Sequence, residues 1–167
     1  VTVTAPGGAG FSHRGQRRFR AASTVKIAVM IALFRQIDAG AVSLDDVRPV
    51  AAGDKVAGSG VIRPLHDGIG MTLGDLLYLM MSISDNTATN LLIDVVGMDA
   101  VNAVMADLGM VGSTLGRKMM GVASEAGREN WSVADEFAGM VAALFDRRAA
   151  SAESCARMLA VLELQQN

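Results

Sequence analysis

Phe19-Arg-Ala-Ala-Ser-Thr-Val-Lys26 runs without a break into Ile27-Ala-Val-Met-Ile-Ala-Leu-Phe34. The second half is uniformly apolar and predicts a helix buried nearly all round. At its mouth stand a hydroxyl, Ser23, and an amine, Lys26, at a spacing that a helix puts on one face. The positive end of the helix dipole favours an alkoxide at Ser23 and a later oxyanion. The same field, with burial, disfavours the charged form of Lys26 and brings a neutral amine base within reach. Ser-x-x-Lys is by itself a weak pattern, expected by chance about once in a few hundred residues. Ser23 can equally cap the helix while Lys26 reaches to water.

A second polar cluster lies in Met81-Ser-Ile-Ser-Asp-Asn-Thr-Ala-Thr-Asn-Leu-Leu-Ile93. Ser84-Asp85-Asn86 separates two apolar segments and reads as a short connection between buried helices. In an extended or turn segment Ser84 and Asn86 point to one side and Asp85 to the other. A hydroxyl at Ser84 can relay a proton to a leaving group. The Asn86 amide can hold a substrate carbonyl while touching Lys26. The plainer reading is an Asp or Asn helix cap.

Ser23-x-x-Lys26 followed by Ser84-Asp85-Asn86 resembles the active-site pair of class A β-lactamases and penicillin-binding proteins. The flanks agree: Phe19-x-x-Ala-Ser before the nucleophile, Thr72-Leu-Gly-Asp-Leu before the second motif, Thr87-Ala-Thr-Asn-Leu-Leu after it. The resemblance implies an α+β fold of the β-lactamase/transpeptidase type, here mostly its helical part with an N-terminal β-hairpin. It implies a serine hydrolase in which Ser23 forms an acyl-enzyme and Lys26 is the base. Ser84 would carry a proton to the departing nitrogen, and Asn86 would bind substrate. Asp85 is read as structural. The implied substrate is a small β-lactam or a D-alanyl peptide, with no metal and no organic cofactor, in a periplasmic or secreted setting. Three readings stand beside it: a penicillin-binding peptidase or esterase-like relative that deacylates slowly, a non-catalytic binding module, and a helical domain with an accidental match.

Two departures accompany the likeness. The family's third motif, Lys-Thr-Gly or Lys-Ser-Gly on a pocket-lining strand, has no counterpart after Asn86. In the family that strand supplies one oxyanion-hole donor, and one such donor is worth roughly 3–4 kcal/mol. The expectation is a β-lactamase-like domain over 1–167 that lacks its C-terminal strands, with a hairpin over 1–18 and a helical body over 19–167. The second departure is Leu115-Gly-Arg-Lys-Met-Met-Gly121. Arg117 resembles the arginine that anchors the family's loop there, but Met119 or Met120 falls where the deacylating Glu belongs. Glu125 and Glu129 are the nearby substitutes, unless they are solvated loop charges.

The chain has 167 residues, of which 51% are hydrophobic, enough to bury a core of one domain or a large part of one. A net charge of −2 gives no case for nucleic acid or an anionic membrane. Aromatics are only 4% of residues, and 11 Met help fill the core in their place. The lone Cys155 cannot pair internally and reads as buried and structural. No charged leader with an apolar run precedes Val3, and no apolar run is long enough to span a bilayer. Oligomeric state leaves no mark.

Val1–Thr4 alternates, a Pro/Gly turn follows, and Phe11–Arg14 returns, which predicts the hairpin. Arg14, Arg17, Arg18 and Arg20 read as a basic, solvated surface. The Ser23 helix should end near Gly40, and a Gly-rich link runs to about Met71. Gly58-Ser-Gly-Val61 stands near the place where many family members carry a substrate-contacting aromatic, and none stands here. Thr72 to Asp75 predicts a capping box, Ser132 to Asp135 a second one with Trp131 as its staple, and Ser151 a final cap. His66 has no second His or Cys at a metal-ligand spacing and reads as structural.

Overall fold

The apolar run after Ser23 becomes the hub of the molecule. The computed structural model describes residues 1–5, 10–121 and 128–166. A 3-10 turn over Ala22–Val25 leads straight into helix α1, Lys26–Asp38. Every side chain from Ala28 to Phe34 is at most 1% exposed. Full burial of an aliphatic or Phe side chain is worth about 1.5–3 kcal/mol, so the packing of this run outweighs any helix propensity it has. Helices α2 (Leu73–Ser82), α3 (Asn86–Val96), α4 (Met98–Asp107) and α6 (Ala152–Leu162) pack against α1. Helix α5 (Ala134–Phe145) packs against α6.

Local chemistry sets the helix ends. Thr72 Oγ1 accepts from the Asp75 amide at 3.0 Å, and the Asp75 carboxylate accepts from the Thr72 amide at 3.2 Å, closing the predicted capping box on α2. Ser151 Oγ accepts from the Ser154 amide at 3.1 Å and caps α6 as expected. Cys155 is fully buried there.

The predicted N-terminal hairpin forms from β1 (Thr2–Thr4) and β2 (Gly10–Ser12), with Val3 opposite Phe11. The body is less purely helical than its sequence suggests. Strand β3 (Arg18–Arg20) pairs with β6 (Trp131–Val133), and β4 (Val47–Val50) pairs with β5 (Ile69–Thr72), each pair antiparallel. These strands are three or four residues long, too short for alternation to register. The partner of β3 is moreover remote in the chain.

The second capping box is not formed. Ser132 lies inside β6, opposite Phe19, and α5 starts at Ala134 without a side-chain cap. Asp135 is instead taken by the hairpin: Thr2 Oγ1 donates to it, as do Ser12 Oγ at 2.8 Å and Gln16 Nε2 at 2.5 Å. Trp131 is no staple either. It sits on β6 with the Arg18 guanidinium 5.0 Å from its ring centre. The tertiary demand for a strand overrode a local pattern that would have suited a helix start.

Candidate active site

Four polar side chains meet at the N-terminal end of α1. Ser23 is exposed on the 3-10 turn, while Lys26, on the next turn, is only 2% exposed. Ser84 and Asn86 come from the α2–α3 connection. The Lys26 ammonium donates to the Ser84 carbonyl at 2.7 Å, to Ser84 Oγ at 2.8 Å and to Asn86 Oδ1 at 3.0 Å. Ser84 Oγ in turn donates to Ser23 Oγ at 2.8 Å. A proton leaving Ser23 therefore has a hydrogen-bonded path through Ser84 to the lysine nitrogen, provided that nitrogen is neutral. Burial pushes the Lys26 pKa down to about 8, against an opposing pull from the Asp85 charge.

Backbone strain flanks both hydroxyls. Ala22 has φ +45° and Ser84 has φ +60°, conformations that cost a non-glycine residue on the order of 1–3 kcal/mol each. Strain of this kind persists only where surrounding contacts enforce it. At Ser84 the enforcing contacts are those of Lys26 and of the segment that follows.

Asp85 plays the structural part expected of it. It is 1% exposed and caps α3 through the Ala88 amide at 2.9 Å. Its other oxygen accepts from the Val61 and Ile62 amides at 2.7 and 3.0 Å. Asn86 donates from its amide to Ser59 at 3.0 Å and from Nδ2 to Ala57 at 3.1 Å, and Thr87 Oγ1 accepts from Val56 at 3.1 Å. The α2–α3 connection thus clamps the whole of 56–62 as a rim beside the hydroxyls. The clamp needs glycines. A Cβ on Gly60 (φ +127°) would lie 2.2 Å from the Asp85 carboxylate, and one on Gly58 (φ +93°) 2.5 Å from Asn86 Nδ2.

The segment after Leu115 carries Arg117, Met119 and Met120, and Glu129 pairs back onto it. Arg117 pairs with Glu129 at 2.8 Å, and Glu129 also lies 3.6 Å from Arg20. A hydrogen bond from the Asn130 amide, then the charges of Arg117 and Arg20, hold the Glu129 carboxyl below its usual range. Committed to these cations, Glu129 anchors the loop neck and is not a free base. Glu125 lies outside the described residues. Met119 packs on the core while Asn90 grips its backbone, accepting from its N–H at 2.8 Å and donating to its C=O at 3.1 Å. Met120 is 55% exposed, and its sulfur would be 3.5 Å from a Cβ on Gly58.

Asn90 and Asn130 are the positioning residues that sequence reading missed. Asn130 accepts from the Gly116 and Arg117 amides at 2.9 and 3.0 Å, and its carbonyl accepts from the Ala21 amide at 2.8 Å. The loop neck is thereby tied to the approach to Ser23. Asn90 had a signal, since it falls one helical turn after Asn86 on α3. Asn130, in an irregular loop, had none.

The sequence matches the β-lactamase enzyme family over residues 2–167. The chain belongs to that family. It is 37% identical over 108 residues to a β-lactamase of Rhodobacter capsulatus, covering 64% of this chain and 36% of that protein. It is also 37% identical over 98 residues to β-lactamase L2 of Stenotrophomonas maltophilia, covering 58% of this chain and 32% of that one. The crystal structure of a β-lactamase from Sphaerobacter thermophilus matches 99% of this chain with a TM-score of 0.95 and 59% identity. A mutant of PBP-A, solved as an acyl-enzyme complex with penicillin G, matches in fold with a TM-score of 0.89 at 22% identity. The aligned stretch spans 36% of the Rhodobacter protein and 63% of the Sphaerobacter chain. This family fold is the α+β class expected from the motifs, helix-rich with small sheets.

Proposed function

We propose that Ser23 is the nucleophile of a β-lactamase-type acyl transfer. The observation that carries this is the unbroken hydrogen-bonded chain from Ser23 through Ser84 to Lys26, closed by Asn86. Ser23 Oγ attacks the carbonyl of a β-lactam, or of a D-alanyl peptide. Its proton passes through Ser84 to neutral Lys26, and Ser84 delivers a proton to the departing nitrogen as the C–N bond breaks. Asn86 holds Lys26 through Oδ1 and borders the substrate. The product of this half-reaction is an ester on Ser23. By kinship with the family, the setting is periplasmic or secreted.

Hydrolysis of that ester needs a base to activate water. The described carboxylate at the loop neck, Glu129, is tied to Arg117 and Arg20, and Met119 and Met120 occupy the loop. This favours a second reading: an acyl-enzyme that forms and then clears slowly, as in a penicillin-binding protein.

Labelling with a fluorescent penicillin tests the proposal. The chain should carry covalent label after denaturation, and Ser23→Ala should carry none while keeping its helical circular dichroism. Equal label on the Ser23→Ala protein would overturn the assignment.

A further inference from the structure

A cavity of about 470 Å³ lies against the loop neck, within the size range of small-molecule sites. Arg18 of β3, Met98 and Asp99 of α4, Trp131 of β6, Arg128 and Glu129 line it, and none of Ser23, Lys26, Ser84 and Asn86 does. Its walls are held by bonds that need no ligand. Thr114 and Trp131 exchange two backbone bonds, at 3.0 and 2.9 Å. Asn102 grips Leu115, accepting from its N–H at 2.9 Å and donating to its C=O at 3.0 Å. Arg18 stands opposite Val133 in the β3–β6 pair. A cavity preformed in this way spares a ligand most of the ordering cost of binding.

The charges around it are unequally committed. Glu129 is paired with Arg117 at 2.8 Å and lies 3.6 Å from Arg20. Asp99 sits in the first turn of α4, where the positive end of the helix offsets its charge. Among the described residues, Arg18 and Arg128 pair with no carboxylate. Arg18 lies instead over the Trp131 ring, 5.0 Å from its centre. The lining therefore offers two cations beside an aromatic ring and a thioether. A guanidinium binds a carboxylate through two parallel N–H bonds, and it stacks on a π-system besides. Thioethers are favourable neighbours of aromatic rings.

We propose that this cavity binds a small aromatic carboxylate, with its anion on Arg18 and Arg128 and its ring beside Met98 and Trp131. A bare inorganic anion would leave the apolar lining unused, and a neutral ring would leave both cations without a partner. Leu115 and Gly116 also line the cavity, so an occupant stiffens the neck that carries Met119. The site lies outside the residues proposed for acyl transfer, and its occupation does not depend on that chemistry.

Trp131 is the only tryptophan of the chain, so its fluorescence reports on the cavity directly. The probe is phthalate, a benzene ring with two carboxylates, titrated against the parent and Ser23→Ala proteins. Both should show the same saturable change in Trp131 emission. Hydrogen exchange should slow at the Gly116 amide, which is bonded to Asn130 at 2.9 Å. By calorimetry, which is blind to the altered surroundings of Trp131, Arg18→Gln and Arg128→Gln should each weaken phthalate about tenfold, as for loss of a charged hydrogen bond. Asp99→Asn removes a like charge and should tighten binding about twofold. Arg63→Gln, at an exposed arginine outside the cavity, should change nothing. Absence of saturable binding overturns the proposal, as does phthalate binding indifferent to both Arg18→Gln and Arg128→Gln. So does inorganic phosphate that binds as tightly as phthalate, since the aromatic lining would then have no part. Loss of binding in Ser23→Ala would also overturn it, by placing the probe at the hydroxyl cluster.

Discussion

The cluster around Lys26 and the segment around Arg117 form two sides of the molecule's polar chemistry that are built to different degrees of completeness. On one side Lys26, Ser84 and Asn86 satisfy each other within 3.0 Å, and Asp85 fixes the rim beside them. On the other, Arg117, Glu129 and Asn130 hold the loop neck, and Met119 and Met120 stand in the described span between them. The first side has the parts for making an acyl ester. The second has the parts for shaping a loop. On the function proposed above, acylation and deacylation draw on different residues, so each should be open to perturbation without the other.

The largest effect should come from the amine. Lys26→Met keeps a long apolar side chain in the buried channel but removes the base. Acylation should slow about 10²–10⁴-fold, as for loss of a general base, measured by stopped-flow with a chromogenic cephalosporin. A rate within threefold of the parent would dissolve the contrast between the two sides. Next is the loop itself. Met119→Glu or Met120→Glu should shorten the acyl-enzyme lifetime at least tenfold while leaving its formation within a few-fold. Whichever substitution does so identifies the position that faces the water.

Stability should carry the mark of the buried amine. The folded-state pKa of Lys26, about 8, lies below the ordinary 10.5, so the unfolded chain binds the extra proton between these values. Stability therefore rises as pH climbs from about 8 to 10.5, with an upper bound of roughly 3–4 kcal/mol from this group. Urea unfolding of the parent against Lys26→Met across that window should show the slope only in the parent. A smaller change is expected from Asp85→Asn. It removes a charged acceptor of three backbone amides and should cost about 1–3 kcal/mol. Because the Asp85 charge raises the Lys26 pKa, the acylation profile should also move to lower pH. An unmoved profile would mean that the two groups are uncoupled.

Legibility followed the range of the forces involved. The α1 run, the Thr72 box and the Ser151 cap are decided by neighbours in sequence, and they appear where the residues put them. Ser23 and Ser84 lie far apart in the chain; the family resemblance put their motifs in one site, and the hydrogen bond between them came only with the structure. Strands β3 and β6 were invisible because each is three residues long and its partner is remote. Asn130 was invisible for the same reason: its value comes from reaching Gly116, Arg117 and Ala21 at once. Ser132 and Trp131 misled because a strand preceding a helix carries the same residues as a capping box.

Intact mass, followed in time after mixing with benzylpenicillin, tests the division between the two sides most directly. The account predicts the addition of one intact penicillin, mapping to Ser23. The adduct should then outlast its own formation time. A penicillin consumed with no accumulating adduct, or an adduct on any other residue, would contradict it.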